Sequence, residues 1–540
     1  MSFSKLYDYQ LTVLEESRTF DKGQFLLPTG TGKTFCQAAI IAKDILESEE
    51  AGVYSVCCPR ILLSYQLFEE IYKFLISEGI DAEFDFIHSD GITKAFERKI
   101  SDIRKQINSD NNTDISFCDI SNNRCTNTIA QSINRANSRG KAYIAICVYD
   151  SAPKLYKAVK DVGRVINISI HDEAHYLTEE ENSKLISSSN FRNVPNKTFF
   201  FTATARHGES EVGRGMNNHK IFGDVLFEMT PGEAVALGKM VRPNVLEIVP
   251  KDLSKEYTYA DFKASIPSLI REGYLQHQRD VYRTSLEEAK LMVSISEVDD
   301  IIRFEKTPEY IDLRKRDVEI FVISSRDDVK NKHNLDQINK KQWLTKLQET
   351  GLDPNKRMIA LHYDILKEGI DVPGFTGIFP LRCLGMSDLL QTYGRCARLH
   401  PADRKAFAEG SYTHNDLDRM KKPYGWVLIA KVSKEVEDKV ASISMITEHF
   451  KDFDIDLAET ISMTNKIGSK DIEEDEDHVV PNVSGEAIEE YNFRYATSTN
   501  GKLNLYGVAD KFLNPKPIVS EEEATRAYSL FKSLRALIKG

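Results

Sequence analysis

The sequence predicts an α/β protein built on parallel sheets, and three observations carry that prediction. Short apolar runs of strand length alternate with stretches whose apolar residues recur at helical spacing. Gln24–Leu27 is followed by Phe35, Ala38, Ala39, Ile41, Ala42 and Ile45, and Gly52–Cys58 by Leu62, Leu63, Tyr65, Phe68, Ile71 and Phe74. Strand then helix, repeated, is the pattern of a parallel sheet with helical crossovers. Second, the first strand breaks into a glycine-rich turn, Pro28-Thr-Gly-Thr-Gly-Lys-Thr34. Third, a later strand, Val165–Ile170, runs into His171-Asp-Glu-Ala-His175, placing two carboxylates at a strand tip.

Length and composition bound the rest. A chain of 540 residues exceeds one hydrophobic core and suggests three or four domains at about 100–200 residues each. The eight cysteines (36, 57, 58, 118, 125, 147, 383 and 396) include no Cys-x-x-Cys, which points to reduced, intracellular thiols rather than a zinc ribbon or disulfide framework. No apolar run approaches the roughly 20 residues that span a bilayer, and Met-Ser-Phe-Ser-Lys lacks a signal-peptide core, so a soluble, cytoplasmic protein without a membrane partner is expected. The net charge of −11 leaves nucleic acid open, because local basic grooves coexist with an acidic whole.

In chain order, Leu6-Tyr-Asp-Tyr-Gln10 begins a helix continued by Leu11, Val13 and Leu14, and the Gln10 amide can both donate to and accept from an adenine edge. In the turn that follows, Gly30 and Gly32 let backbone N–H groups face phosphates, Lys33 supplies positive charge, and Thr34 suits Mg²⁺. The strict phosphate-loop spacing asks for glycine at Leu27, so strand–loop–helix context carries the assignment. Residues 90–140 read as helix plus irregular loop. Tyr143–Val148 is a strand closed by Tyr149-Asp-Ser151. At the acidic tip, Asp172 can hold Mg²⁺ and Glu173 can orient a water. A zinc-protease reading fails, since it needs Glu directly after the first His, on a helix. Lys197–Phe201 is a strand ending in Thr202-Ala-Thr204, whose hydroxyls suit a relay.

In this order the three strings resemble motifs I, II and III of superfamily 2 helicases, most nearly the DEAH-type group with the restriction-enzyme (ResIII-like) motor subunits. The resemblance implies RecA-like domains, ATP and Mg²⁺, and a second motor domain, which the remaining chain can supply. Ile221–Asp224 and Gly232–Pro243 resemble the connection out of the first domain. Val245–Val249 reads as a strand, and residues 251–317 as helical, with Leu286, Ala289, Leu291, Met292 and Ile295 on a long amphipathic helix. Glu319–Ser324 resembles motif IV, Arg357–His362 is a strand, and Ile365–Pro373 is similar to motif V, with Gly369 and Asp371 in the nucleotide loop. Gln391-Thr-Tyr-Gly-Arg-Cys-Ala-Arg398 matches motif VI, its arginines three apart on one helix face. Tyr424–Ile429 reads as a last strand, 434–465 as helical, 471–477 as an acidic linker, and Ser520 as the cap of a closing helix.

The expectation is therefore two RecA-like parallel-sheet domains in tandem, 1–240 and 241–432, with a mainly helical accessory region at 433–540. The resemblance implies ATP binding by Gln10, Thr29, Gly30, Thr31, Gly32, Lys33, Thr34, Gly369 and Asp371, with Mg²⁺ on Thr34 and Asp172. It implies chemistry at Lys33, Asp172, Glu173, His175, Gln391, Arg395 and Arg398, and coupling through Thr202 and Thr204. Arg60, Tyr149, Ser151 and Arg206 are candidates for touching a nucleic acid, DNA by subgroup resemblance, with RNA open. Residues 433–540 can dock a protein partner. Alternatives are a restriction or defence motor that translocates duplex without unwinding it, a polypeptide-moving motor and an inactive scaffold. The last two are disfavoured by the lack of a large insertion in the first domain and by the full set of charged ligands.

Overall fold

The computed structural model describes residues 3–89, 94–111, 120–208, 213–248, 257–284, 288–324, 326, 331–363, 374–384, 386–413, 416–433, 436, 439–440, 446 and 461–463. Gly369 and Asp371, the acidic run 471–477 and the helix after Ser520 lie outside them.

Two sheets organise these residues. The first contains β1 (Lys22–Leu26), β2 (Val53–Cys58), β3 (Ala82–Ile87), β4 (Ile120–Asn122), β5 (Ala142–Val148), β6 (Ile166–Asp172), β7 (Pro195–Thr202) and β8 (Asp224–Glu228). They pair in the order β4-β3-β5-β2-β6-β7-β1-β8, parallel throughout. The second contains β9 (Arg242–Ile248), β10 (Lys290–Ile295), β11 (Val318–Ile323), β12 (Lys332–His333), β13 (Asp336–Gln337), β14 (Arg357–His362), β15 (Gly377–Leu381), β16 (Tyr424–Ala430) and β17 (Ile461–Met463). Its order is β13-β12-β11-β14-β10-β15-β16-β9-β17, parallel except for the β12–β13 hairpin on the β11 edge. This is the tandem RecA-like arrangement. β2, β3, β5, β10 and β15 are buried at every residue, as expected of strands covered on both faces.

Register places the site. Leu26 pairs with Thr202, and Asp172 with Phe201, so β1, β6 and β7 end level with one another. Whatever follows those strands emerges at one edge, where open α/β sheets bind ligands.

Several expectations change. The long amphipathic helix ends at Thr284, and Lys290–Ile295 is a central strand between β14 and β15. A strand buried on both faces shows no alternation, so its apolar residues also fit a helical template. Residues 461–463, read as helical, form a strand beside β9. The 90–140 stretch holds β4 and helices Lys94–Asn111 and Thr126–Ser138, while β3, β8 and β15 had not been anticipated.

Both sheets lie in one compact unit, Met1–Ala408 with Lys421–Asn465. Of the other unit, Glu409–Met420 with Lys466–Gly540, the described part is a loop in which Arg419 donates to the Ser411 carbonyl at 3.0 Å and stands over the Tyr412 ring.

Leu291→Ala should cost about 2–5 kcal/mol, the penalty for emptying a closed core position, as measured by denaturant unfolding. A surface-helix position would change by less than about 0.5 kcal/mol.

Candidate functional site

The loop after β1 runs from Leu27 into the helix Lys33–Glu47. Gly30 and Gly32 have φ of 91° and 84°, the left-handed region that glycine enters without strain. A Cβ on Gly32 would also stand 2.7 Å from Gln10 Nε2. Gln10 lies in the helix Asp8–Thr19, where its Oε1 accepts from the Tyr7 N–H at 3.1 Å and its Nε2 donates to the Thr31 carbonyl at 3.1 Å. The Tyr9 hydroxyl donates to the same carbonyl at 2.6 Å. Two side chains of one helix thus hold the loop from behind. Lys33 Nζ donates to the Leu27 carbonyl at 3.2 Å, folded over the loop it serves.

Asp172 is the last residue of β6, and its carboxylate accepts from Gln37 Nε2 at 2.7 Å. Burial, and then the adjacent Glu173 charge, push its pKa up to about 7 against the opposing pull of Lys33. Glu173 adopts φ 50°, strained for a non-glycine residue, and its Oε2 is buried with no hydrogen-bond partner among the described residues. Tip strain of this kind is kept where a side chain's direction matters.

His175 is fully buried, and burial lowers its pKa to about 4, so the ring is neutral near pH 7. Gln391 Nε2 donates to His175 Nε2 at 2.8 Å. The histidine Nδ1–H then donates to Thr202 Oγ1 at 2.8 Å. That hydroxyl donates to the Thr204 carbonyl at 3.0 Å and accepts from the Thr204 N–H at 3.2 Å. One hydrogen-bonded chain therefore joins the ends of β6 and β7 to the helix Met386–Cys396, which follows β15 of the second sheet.

That helix brings the arginines in. Arg395 and Arg398 line the same cavity of about 600 Å³ as Thr29, Gly30, Gly32, Lys33, Thr34, Asp172, Glu173 and Gln391. They do not share a helical face, as the spacing had suggested. The helix ends at Cys396, and Arg398 lies beyond it in an antiparallel bridge with Met240. Burial draws the Arg398 pKa down to about 10. Gly394 packs so closely on Thr29 that a Cβ would stand 2.8 Å from the threonine Cβ.

The candidate nucleic-acid contacts fare unequally. Arg60 is exposed at the start of the helix Ile61–Ser77. Arg206 is half-buried and paired with Glu179 at 2.7 Å. Tyr149 and Ser151 are buried, and the Tyr149 hydroxyl donates to the Asp172 carbonyl at 2.6 Å. The tyrosine braces the acidic tip from below instead of facing solvent, because the 3-10 turn after β5 folds its ring inward. Sequence reasoning missed Gln37, which lies one turn after Lys33 on the same helix face and was legible from that spacing. It also missed Arg404, Gln348, Gln66, Glu69 and Glu70, which complete the cavity wall without motif signals. Among the described residues, no group of three or more His, Cys, Asp or Glu is placed to hold a metal ion, and no helix is long and apolar enough to cross a membrane.

Residues 3–207 match the protein family described as "Type III restriction enzyme, res subunit". A comparison with curated proteins finds no match. Among solved structures, the type ISP restriction-modification enzyme LlaBIII, bound to DNA, aligns over 79% of this chain and 28% of its own, with 18% identity and a TM-score of 0.54. A nuclease-deletion mutant of the type ISP enzyme LlaGI, in complex with a DNA substrate mimic, aligns over 79% of this chain and 27% of its own, with 18% identity and a TM-score of 0.51. The chain thus spans little more than a quarter of either enzyme. The fold is therefore similar to that of these two restriction-modification enzymes, and residues 3–207 are similar to the res-subunit family.

Proposed function

We propose that the chain is an ATP-driven motor that moves along nucleic acid, DNA in preference to RNA. The observation that carries this reading is the convergence of Arg395 and Arg398, which follow the second sheet, on the cavity that holds Lys33, Asp172 and Glu173 of the first. A ligand touching both groups stabilises one relation of the two sheets over others, and hydrolysis with release removes that preference.

The residues fit a nucleoside triphosphate with Mg²⁺. The loop's left-handed glycines, Lys33 and the two arginines suit a polyanion, and a triphosphate would draw Lys33 Nζ off the Leu27 carbonyl. Thr34 and Asp172 share the cavity wall, and a carboxyl that burial holds near neutrality gains most from a dication beside it. When bound, the metal ion would offset charge on the phosphate oxygens. In this reading Glu173 would orient water, and Arg395 with Arg398 would meet the outer phosphate. The chain Gln391–His175–Thr202–Thr204 would report the nucleotide state across the cleft.

DNA is favoured by the restriction-enzyme likeness, which also supports a narrower second reading: a motor subunit of a restriction or defence complex that translocates duplex without separating strands. Contacts to the phosphate backbone would make binding salt-sensitive and nearly indifferent to sequence.

ATP hydrolysis, measured with single-stranded DNA, duplex DNA, branched DNA and RNA in turn, should rise several-fold with the preferred polymer. Lys33→Ala and Glu173→Gln should each lower the stimulated rate by at least about 10²-fold, and Arg398→Ala by about 10³-fold or more. A basal rate that no polynucleotide changes would remove the nucleic-acid reading. Strand-displacement and triplex-displacement assays then separate unwinding from translocation.

Gly394→Ala should lift the helix Met386–Cys396 off Thr29 by a few tenths of an ångström or more, because the added carbon meets β-carbon rather than a flexible tip. The expected result is a stimulated rate lowered at least about tenfold with unchanged circular dichroism. Wild-type turnover in this variant would show that the close approach plays no part in hydrolysis.

A further inference from the structure

The end of the connection between the two sheets, Gly238–Val241, packs on the phosphate loop at one point and on the arginine segment at several. At the loop, the Lys239 carbonyl lies 3.7 Å from where a Gly30 Cβ would be, and Lys239 Nζ sits 3.1 Å from the centre of the exposed Tyr7 ring, a cation–π contact. At the arginine segment, the Val241 N–H donates to the Ala397 carbonyl at 2.8 Å, and the Tyr393 hydroxyl donates to the Val241 carbonyl at 3.0 Å. Met240 and Arg398 form an antiparallel bridge outside either sheet. Gly238 lies so close to Phe407 that a Cβ would come within 2.4 Å of the ring. Met240, Val241, Tyr393 and Ala397 are all buried.

Arg395 and Arg398 are thus positioned by different means. Arg395 belongs to the helix and moves with it. Arg398 follows the helix end, and its backbone is fixed by the connection on one side and by Lys422, whose Nζ donates to the Arg398 carbonyl at 2.8 Å, on the other. We propose that Gly238–Val241 is a positioning strap that sets the reach of Arg398 into the cleft, with Tyr393 and Val241 acting through that arginine. The strap rests on the proposed ATPase reading for its consequence, but not for its existence. The same segment touches Tyr7, which precedes the helix whose Gln10 holds the Thr31 carbonyl, so the back of the loop and Arg398 share one support.

Two measurements test it. In the nucleotide-free full-length protein, amide hydrogen exchange over 397–400 should speed up in Tyr393→Phe, which removes the hydroxyl alone, while exchange in the β5 and β6 segments stays unchanged. In steady-state hydrolysis, Tyr393→Phe should lower kcat roughly 3- to 30-fold with little change in KM. That loss should vanish in an Arg398→Ala background and persist in an Arg395→Ala background. Val241→Pro, which removes the other bond's donor, should behave alike, and Tyr393→Phe decides the matter if the proline variant does not fold. Unchanged exchange at 397–400, or equal losses in both arginine backgrounds, overturns the strap while leaving the motor reading intact. Faster exchange in a protein that hydrolyses no nucleotide supports the strap as structure and overturns the motor.

Discussion

The site depends on strand register more than on any single side chain. Because Leu26 stands level with Thr202, and Asp172 with Phe201, the loop, the acidic tip and the threonine tip open onto one edge. A one-residue slip would turn every side chain of a strand to the opposite face. The interior fixes that register: Phe25 of β1 stacks on Phe201 of β7 and packs at a tilt against Phe199, and Ser55 of β2 donates to Ser169 of β6 at 2.8 Å. Core packing and site geometry are one constraint here.

Electrostatics follows from that edge being walled in. Burial draws Arg398 down to about 10 and raises Asp172 to about 7, so both charges are held in surroundings that disfavour them. Groups in that condition gain more from a matching ligand than solvated ones do, because their desolvation has already been met on folding. The triphosphate and divalent cation proposed above would supply the opposite sign to each at once. His175 is the counterpart on the neutral side. Its burial keeps the ring neutral, and the tautomer with the proton on Nδ1 leaves Nε2 to accept from Gln391, whereas a protonated ring would set two donors face to face.

What the sequence reveals and conceals divides along the same line. The backbone of 28–34 and 171–172 was legible because local chemistry dictates it: glycine where φ is positive, and a strand that ends on its carboxylate. What depends on a neighbour was not. Lys290–Ile295 lost its alternation through burial on both faces. β3 carries Glu83 and Asp85 inside the fold, where Arg135 and Arg139 pair with the first, and Tyr143 and Asn123 donate to the second. Those partners lie 38 to 58 residues away along the chain, beyond any local pattern. Tyr149 read as a surface contact because a strand end with a polar turn usually is one, yet its hydroxyl has a buried carbonyl to satisfy. Arg398 looked helical by spacing, and only the pairing with Met240 shows where the helix stops.

The two arginines also explain why one helix meets the first sheet's loop so closely. With Gly394 against Thr29, the helix Met386–Cys396 rests on the phosphate loop directly, and Arg395 one residue later is carried by that contact. Arg398 is carried by the chain connection instead. A rigid helix bearing both would make the two side chains rise and fall together, so that any movement of the helix off the loop withdrew both charges at once. Splitting their supports lets one arginine follow the loop while the other follows the connection, so the cleft completes its charge only when both supports are in register. In the motor proposed above, hydrolysis would then be conditional on two features of closure, which would resist turnover in a half-closed state.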